Sequence, residues 1–436
     1  MTTSIDTLAT TLERARQLAA SGRGDEALTE YNRVLAVEPE HGEALAFLGS
    51  HELAHERPQQ AIGFLQRAAQ TNPGDAQIQL ILGSAYLAAQ RLDEACAALA
   101  CCLELAPKAH VARLQYAVAL EQSGDAKAAL PQYFGAIVRA QKQGRWLNDA
   151  STAPILRTRV KHAMQVTHEG RRRLFEELLA PYVARHGEAA LTRVDKCLRI
   201  YLEDLPPNYP DPRQIPKFLF FPDLPPTTFY DRALFPWYEI LESQWLAIRD
   251  ELNAVLHEPD ALAPFLGEHS PEAAKGYLGG PDTAAWDAFF FYRHGERFDE
   301  RHARCPRTSA AIESLPSLVR IREHAPEVCF SVLTPGTHIL KHRGVTNTRL
   351  VTHLPLIIPE NCAISVGGEE KAWREGECFS FDDTFEHEAW NRGTRTRVVM
   401  LMDVWNPNMT AVECEAVTGL IEGIGDFNQA AGIGRD

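Results

Sequence analysis

The stretch SVLTPGTHILKHRGVTNTRLVTHLPLIIP (331–359), followed by GECFSFDDTFEHEAWNRGTRTRVVMLMDVW (376–405), decides the fold of the second half of the chain. Short runs of β-forming residues are separated by Gly, Pro and Asn, a pattern typical of strands joined by turns. Several such strands at close spacing predict a sandwich or jelly roll. A small barrel of this kind can hold a metal ion between its two sheets.

Two histidines in this stretch are candidate metal ligands. His342 and His387 stand beside β-like runs, and neutral imidazole suits iron, copper, zinc and nickel. In the familiar non-haem iron site a carboxylate follows the first histidine by two residues, and Gly344 occupies that place here. Asp382 and Asp383 are candidate third ligands, although a turn or the orientation of His387 explains them as well. On spacing alone, a surface-loop histidine at 342 and a hydrogen-bonded core histidine at 387 remain alternatives.

Longer motifs carry more information than the histidines alone. The segments PGTHILKHRGVTNTRLVTHLPLIIP, FDDTFEHEAWN and DVWNP lie within a region from about residue 210 to about residue 410. This region resembles the aspartyl/asparaginyl β-hydroxylase family, whose members are Fe(II)- and 2-oxoglutarate-dependent oxygenases with a double-stranded β-helix fold. Members of that family can hold iron with two histidines and a glycine in the place of the carboxylate.

The resemblance implies a role for each of five residues. His342 and His387 would hold Fe(II), and 2-oxoglutarate and O₂ would take the open coordination positions. Arg397 matches the residue that binds the far carboxylate of oxoglutarate, and arginine suits this role because its two parallel donors match a carboxylate. Ser331 matches the hydroxyl that assists Arg397, and His353 matches the residue near the other carboxylate.

One position departs from the family pattern. The family often has an arginine two residues before the last histidine, where this chain has Val351. Arg349 lies on the same strand face as Val351 by alternation, so it is a candidate to replace that arginine at the oxoglutarate. The resemblance also implies basic residues that grip the carboxylate of the substrate, and Arg343 and Arg293 are candidates for this role.

The first third of the chain repeats itself every 34 residues. Three series share this period: Ala27, Ala61, Ala95 and Ala129; Pro39, Pro73 and Pro107; Ala15, Gly49, Gly83 and Ala117. The small residues allow two antiparallel helices per repeat to pack closely. The region from 9 to 140 therefore resembles about four tetratricopeptide repeats, which stack into a superhelix with an extended concave surface.

The middle of the chain connects these two regions. Residues 141–209 are predicted to be a helical connector that runs into a proline-rich segment. Eight prolines in LPPNYPDPRQIPKFLFFPDLPPTTF (205–229) exclude regular helix and predict an extended segment, which its phenylalanines fix onto a neighbour. After it, LFPWYEILESQWLAIRDELNAVL (234–256) is predicted to form one long helix.

Composition limits the remaining possibilities. A net charge of −14 argues against nucleic acid or an anionic membrane as partner. Nine cysteines without a CxxC pair signal neither a zinc knuckle nor a disulfide framework. The N-terminus lacks the apolar core of a signal peptide, and no apolar run approaches the roughly 18–20 residues of a membrane span. A cytoplasmic protein without a membrane span is therefore predicted.

Together these patterns predict a multidomain protein, an all-α tetratricopeptide superhelix followed by a double-stranded β-helix (jelly-roll, cupin-like) with flanking helices. The predicted parts are the repeats (1–140), the connector (141–209), the oxygenase domain (210–415) and a C-terminal tail (416–436). The resemblance implies hydroxylation at a β-carbon of Asp or Asn in a protein or carrier-protein substrate, docked on the repeats. Two alternatives remain: a non-catalytic adaptor or sensor that binds protein through the repeats, and a lipid or small-molecule hydroxylase of the same fold.

Overall fold

The chain forms two compact units in the computed structural model. One unit holds the residues up to Arg173 together with the segment from Asp426, and the other is Leu174–Gly425. The structure describes residues 2–258, 260–267 and 276–434, and only the backbone of residues 2–7. Residues 259 and 268–275 of the predicted oxygenase domain, and 435–436 of the predicted tail, lie outside the described residues.

Helices and strands follow one another along the chain in this order. The helices are α1 (Thr2–Ala20), α2 (Gly24–Val37), α3 (Gly42–Ala54), α4 (Pro58–Thr71), α5 (Ala76–Ala88), α6 (Leu92–Leu105), α7 (His110–Gln122), α8 (Ala126–Lys142), α9 (Arg157–His186), α10 (Thr192–Tyr201), α11 (Tyr238–Glu242), α12 (Trp245–Leu256), α13 (Asp299–Arg304), α14 (Pro306–Glu313) and α15 (Ala411–Ala430). The strands are β1 (Ala263–Pro264), β2 (Leu278–Gly279), β3 (Trp286–Arg293), β4 (Glu296–Arg297), β5 (Val328–Leu333), β6 (His338–His342), β7 (Arg349–Ile357), β8 (Cys362–Val366), β9 (Glu369–Ala372), β10 (Phe379–Phe381), β11 (His387–Asn391) and β12 (Arg397–Trp405).

Helices α1 to α8 form the predicted antiparallel pairs, and the 34-residue period has a packing cause. A Cβ added at Gly49 would lie 2.4 Å from Cγ of Leu65, and one added at Gly83 would lie 2.5 Å from Cγ of Leu99. The two contacts are the same contact one repeat apart. The small residues therefore mark the points where the second helix of a repeat presses a leucine onto the first, which confirms the predicted repeat architecture.

Part of the predicted C-terminal tail is helical. Val417, Leu420, Ile421 and Ile424 are buried and follow the spacing of one helix face, so residues 416–430 continue helix α15. The boundary predicted at 415/416 thus lies inside a helix.

No described helix has the length and apolar character needed to span a bilayer.

The second unit contains two antiparallel sheets. The major sheet has the order β1-β3-β5-β12-β7-β10, with β4 beside β3, and the minor sheet has the order β2-β6-β11-β8-β9. From β5 to β8, and again from β10 to β12, consecutive strands alternate between the two sheets. This alternation is the winding of a double-stranded β-helix, so the predicted sandwich is confirmed.

Both faces of the major sheet are buried, and β7 shows how the sequence achieves this. Leu350, Leu354 and Leu356 face a hydrophobic cluster formed with helices α11, α12 and α14. Val351 alternates with them and packs in the cluster between the two sheets, with Phe379 among others. A strand with both faces covered reads as an almost continuous apolar run, so His353, a buried polar side chain on the inner face, is exceptional.

The connecting segments agree with the prediction in one case and differ in another. The proline-rich segment is extended and pairs at Leu219 with Thr346, while Phe220 and Phe221 are buried. The predicted long helix over 234–256 is wrong in its middle, where α11 ends and α12 begins.

The helix breaks because a side chain replaces a backbone bond. Gln244 Nε2 donates to Ile240 O at 3.0 Å, the carbonyl that the backbone N–H of Gln244 would bond in a continuous helix. That N–H donates to Leu241 O instead. A competing side-chain bond of this kind leaves no trace in apolar spacing.

The leucine contact in the repeats can be tested. Gly83→Val should lower the free energy of unfolding of the first unit by about 1–3 kcal/mol, because the added side chain overlaps buried Leu99. Gly63→Val is the matched control, since a Cβ at Gly63 meets nothing within 4 Å. Thermal and urea midpoints measure both; equal midpoints for the two variants would contradict the assigned packing.

Candidate functional site

Strand pairing brings His342 and His387 together. His342 ends β6, His387 begins β11, and the two residues are directly opposite in the antiparallel pair. Their ring centroids are 4.0 Å apart. Two imidazoles far apart in the sequence therefore lie side by side in the minor sheet.

Both rings are held in the same tautomer. Nδ1 of His342 lies 2.8 Å from Leu340 O, and Nδ1 of His387 lies 3.1 Å from Phe385 O. A carbonyl oxygen only accepts, so each Nδ1 carries the proton and each Nε2 keeps its lone pair. Burial lowers the pKa of His342. Burial, followed by the repulsion between protonated forms of the two rings, lowers the pKa of His387 to about 3. Two neutral imidazoles with free Nε2 lone pairs are what a transition metal requires.

The place of the usual carboxylate ligand is filled by another residue. A Cβ added at Gly344 would lie 2.1 Å from the carboxylate of Asp383, and Gly344 N donates to Asp383 O at 2.6 Å. Within the described part of the chain, no His, Cys, Asp or Glu joins His342 and His387 in a group whose ligand atoms lie within 4.8 Å of one another. Among the described residues, His342 and His387 thus stand as a pair without a third neighbouring ligand group.

Asp382, the other candidate third ligand, stabilises a turn. One of its oxygens accepts from the backbone N–H of Thr384 at 2.9 Å, and the other accepts from Gln214 Nε2 at 2.6 Å. Gln214 belongs to the proline-rich segment. The carboxylate thus fixes that segment beside the turn that leads into His387.

Arg397 is a buried cation without a counter-ion. Its relative exposure is 2%, and Nη1 donates to Ser331 O at 3.2 Å and to Ser331 Oγ at 3.4 Å. Among the described residues no carboxylate pairs with Arg397, and its Nε has no hydrogen-bond partner. The groups whose negative form would raise its pKa are two cysteines, Cys362 and Cys329, and not an aspartate or glutamate. Burial lowers the pKa of Arg397 to about 10, so it remains a cation at neutral pH. A buried unpaired charge is costly, so an anion bound beside Arg397 would be stabilising.

Ser331 has a hydroxyl proton to offer at the same position. Its Oγ accepts from Trp286 Nε1 at 3.0 Å and lies beside Nη1 of Arg397. Both of these groups are donors, so the lone pairs of Oγ are engaged and its O–H is left to donate. An anion at Arg397 would meet a second donor here.

His353 has the opposite tautomer from the two candidate ligands. Trp373 Nε1 donates to His353 Nδ1 at 3.1 Å, and an indole N–H can only donate, so the proton of His353 is on Nε2. Burial, and then the charges of Arg397 and His387, hold the pKa of His353 well below its usual value. His353 is therefore a neutral Nε2–H donor and not a metal ligand. The ring of Trp373 also lies under the guanidinium of Arg397, 4.9 Å away.

The predicted basic residues other than Arg397 have internal partners. Arg349 pairs with Asp403 on the neighbouring strand at 2.7 Å. Arg343 lies 3.4 Å from Glu386, and Arg293 donates to Phe265 O at 3.0 Å. The structure thus groups His342, His387, Ser331, His353 and Arg397, whereas Arg349 is paired with an internal carboxylate.

Three residues of the site were missed in the sequence. Trp286 and Trp373 supply the two indole donors, and a buried tryptophan generally needs a partner for its N–H, which is the signal that could have drawn attention to them. Lys217 is the third missed residue. Burial is the main cause of the low pKa of His342 and of His387, and the positive charge of Lys217 lowers the pKa of both further. Lys217 is exposed on the proline-rich segment, so a solvent-accessible cation lies near the two histidines.

Several known proteins are similar in sequence to parts of this chain. A family model described as aspartyl/asparaginyl β-hydroxylase matches residues 242–407, and a tetratricopeptide repeat model matches residues 12–76. Aspartate β-hydroxylase domain-containing protein 2 of Mus musculus is 33% identical over 57% of this chain and 71% of the relative. Human aspartyl/asparaginyl β-hydroxylase is 36% identical over 39% of this chain and 21% of its own length. Ornithine lipid ester-linked acyl 2-hydroxylase of Rhizobium tropici is 36% identical over 41% of this chain and 60% of that protein.

The contact between Gly344 and Asp383 is open to a direct test. Gly344→Ala should destabilise the second unit by about 1–3 kcal/mol, because the methyl group overlaps the carboxylate of Asp383. Adding Asp383→Ala removes the overlap, so the double variant should recover part of the loss. Unfolding midpoints of the four proteins give a coupling energy, expected to be about 0.5–3 kcal/mol; simple additivity would contradict the contact.

Proposed function

We propose that this chain, which belongs to the aspartyl/asparaginyl β-hydroxylase family, is an Fe(II)- and 2-oxoglutarate-dependent dioxygenase. The observation that carries the proposal is the buried guanidinium of Arg397, which has no carboxylate partner among the described residues. It lies in the same group as two neutral histidines. A metal chelate that also presents a distant carboxylate would satisfy both features.

The residues fit the proposed cofactors by their donor chemistry. His342 and His387 would hold Fe(II) through Nε2, each ring oriented by the carbonyl that accepts from its Nδ1. Arg397 would bind the far carboxylate of 2-oxoglutarate through its planar donors, assisted by the O–H of Ser331. His353 would donate its Nε2–H to an oxygen of the other carboxylate. When bound, iron and 2-oxoglutarate supply the oxidising chemistry, in which O₂ converts oxoglutarate to succinate and CO₂ and hydroxylates a substrate C–H bond.

The chain's own contribution is to orient these groups and exclude water. His353 faces the rings of Phe379 and Phe381 at 5.6 and 5.1 Å, and Val399 completes the apolar wall between the sheets. In such a low-dielectric site, hydrogen bonds to a carboxylate are stronger than in water. Because the donors are already in place, little reorganisation is needed when the anion binds.

For the substrate we propose a β-carbon of Asp or Asn in a protein or carrier-bound chain, with the repeats as the docking surface. Lys217, exposed near the two histidines, is the cation available to a substrate carboxylate. The repeats support a macromolecular substrate because their superhelix offers an extended concave surface, which a free metabolite does not need.

One observation favours a second candidate, an acyl group as substrate. Val351 stands where the family often has an arginine, and it packs among apolar side chains between the sheets. Arg349 does not compensate, since it pairs with Asp403. A pocket wall of this character suits an acyl chain, and one relative is named as an acyl 2-hydroxylase of ornithine lipid. Gain of one oxygen on a captured protein or on a lipid fraction would distinguish the two substrates by mass spectrometry.

Binding of 2-oxoglutarate tests the proposed site without knowledge of the substrate. Calorimetry on the Mn(II)-loaded chain under nitrogen should show binding, and Arg397→Gln should weaken it about 100-fold, because bonds from a charged donor are lost. Arg395→Gln is the matched control, since Arg395 is exposed in the loop just before β12. Equal weakening by both variants would contradict the role of Arg397.

Turnover tests the reaction itself. The Fe(II)-loaded chain should release succinate from 2-oxoglutarate in the presence of O₂, and His387→Ala should abolish this. Succinate release at the normal rate in His387→Ala would contradict the proposal. Binding of 2-oxoglutarate by wild type without any turnover on protein or lipid fractions would favour the adaptor alternative.

The tautomer of His353 gives a finer test. Trp373→Phe keeps a ring under Arg397 but removes the N–H that bonds His353 Nδ1, so 2-oxoglutarate binding should weaken about tenfold. The ¹⁵N shifts of His353 should change from a pure Nε2–H tautomer to a mixture. Trp390→Phe is the control, because Trp390 lies under Arg392 in the same way without contacting His353; an unchanged His353 tautomer in Trp373→Phe would contradict the assignment.

A further inference from the structure

A group of three side chains of metal-ligand type lies in the repeats. Asp25 is the second residue of α2, His51 lies in α3, and His55 follows the end of α3. One ligand atom from each of the three lies within 4.8 Å of the others. His51 and His55 are four residues apart, so they occupy one helix face, and the carboxylate approaches them from the neighbouring helix.

The ring of His55 is held as a ligand ring usually is. Its Nδ1 lies 2.8 Å from His51 O, which fixes the proton on Nδ1 and leaves the Nε2 lone pair free. The ring of His55 lies beside that of His51, with centroids 4.2 Å apart. His55 is exposed, so a small rotation of its side chain meets little resistance.

His51 is more constrained, and its distances fit a shared ion. Its side chain is only 10% exposed, and its Nδ1 has no hydrogen-bond partner, although Glu52 Oε1 lies 3.8 Å away. Its Nε2 is 3.5 Å from Asp25 Oδ1, which is longer than an ordinary hydrogen bond. A tetrahedral ion at about 2.0–2.1 Å from each atom would hold them about 3.4 Å apart.

We propose that Asp25, His51 and His55 bind one divalent transition-metal ion of the Zn²⁺ class. Two imidazoles and one carboxylate are ligands of the softness that Zn²⁺ accepts, and water would complete the tetrahedron. The carboxylate of Glu52 is placed to orient His51 from outside the ligand set, an arrangement common for ligating histidines.

The ion would join the first two repeats. Asp25 is in the second helix of the first repeat, and His51 is in the first helix of the second repeat. The ion would therefore add a further link between helices that already share the hydrogen bond from Tyr31 Oη to Glu43 Oε1 at 3.1 Å. Metal binding would then raise the stability of the folded repeats by mass action. The proposal is independent of the oxygenase function proposed above.

Zn²⁺ binding to the metal-free full-length chain tests this site. The His387→Ala background removes the other candidate metal site, so a single Zn²⁺ per chain is expected by calorimetry, together with a higher thermal midpoint. In that background, His55→Ala and the nearly isosteric Asp25→Asn should each weaken Zn²⁺ binding at least about tenfold and remove the thermal shift.

His257→Ala is the matched control. His257 makes the same kind of ring contact, with Nδ1 2.6 Å from Asn253 O, and belongs to no three-ligand group among the described residues. It should leave Zn²⁺ binding unchanged. The proposal would be overturned by absence of Zn²⁺ binding or by an equal loss of affinity in His257→Ala. Unchanged affinity in Asp25→Asn would also overturn it, because two surface histidines alone would then explain the binding.

Discussion

A guanidinium removed from water needs a negative partner, and that of Arg397 finds none among the described residues. The surrounding groups compensate only in part: the oxygens of Ser331 accept from it, and the indole of Trp373 lies against its face. These contacts reduce the cost of burial without neutralising the charge. The fold therefore keeps a buried positive charge that is only partly compensated, and an external carboxylate would neutralise it. Strand β12 carries this cation, and β5, β7 and the turn after β9 place donors around it.

Three histidines of the second unit differ in tautomer because of what their Nδ1 atoms contact. Backbone carbonyls face the Nδ1 of His342 and His387, whereas an indole N–H faces the Nδ1 of His353. Burial keeps all three neutral, so the hydrogen-bond partner alone decides which nitrogen carries the proton. Two rings keep a free lone pair on Nε2, and the third carries a proton there. Such assignments depend on strand geometry and cannot be made from residue type.

The sequence was sufficient for features whose cause is local or periodic. The repeats followed from small residues spaced by 34, two of which, Gly49 and Gly83, each accommodate one leucine of the neighbouring helix. The sandwich followed from short apolar runs between turns. The roles of Trp286, Trp373 and Lys217 did not follow, because each depends on the register of elements distant in the sequence. Arg349 was placed on the correct strand, but its pairing with Asp403 on β12 requires the sheet order.

Gly344 shows that a missing ligand can be a consequence of packing. In the usual arrangement residue 344 would carry the carboxylate, but Asp383 fills the space where any side chain would begin. Burial raises the pKa of Asp383 to about 7, and one of its oxygens has no hydrogen-bond partner. Introducing an acid at 344 would therefore place two carboxylates in one small buried volume, where like charges and overlap both oppose it. The neighbouring turn thus excludes a side chain at 344, and a carboxylate at that position would require the turn to be rebuilt.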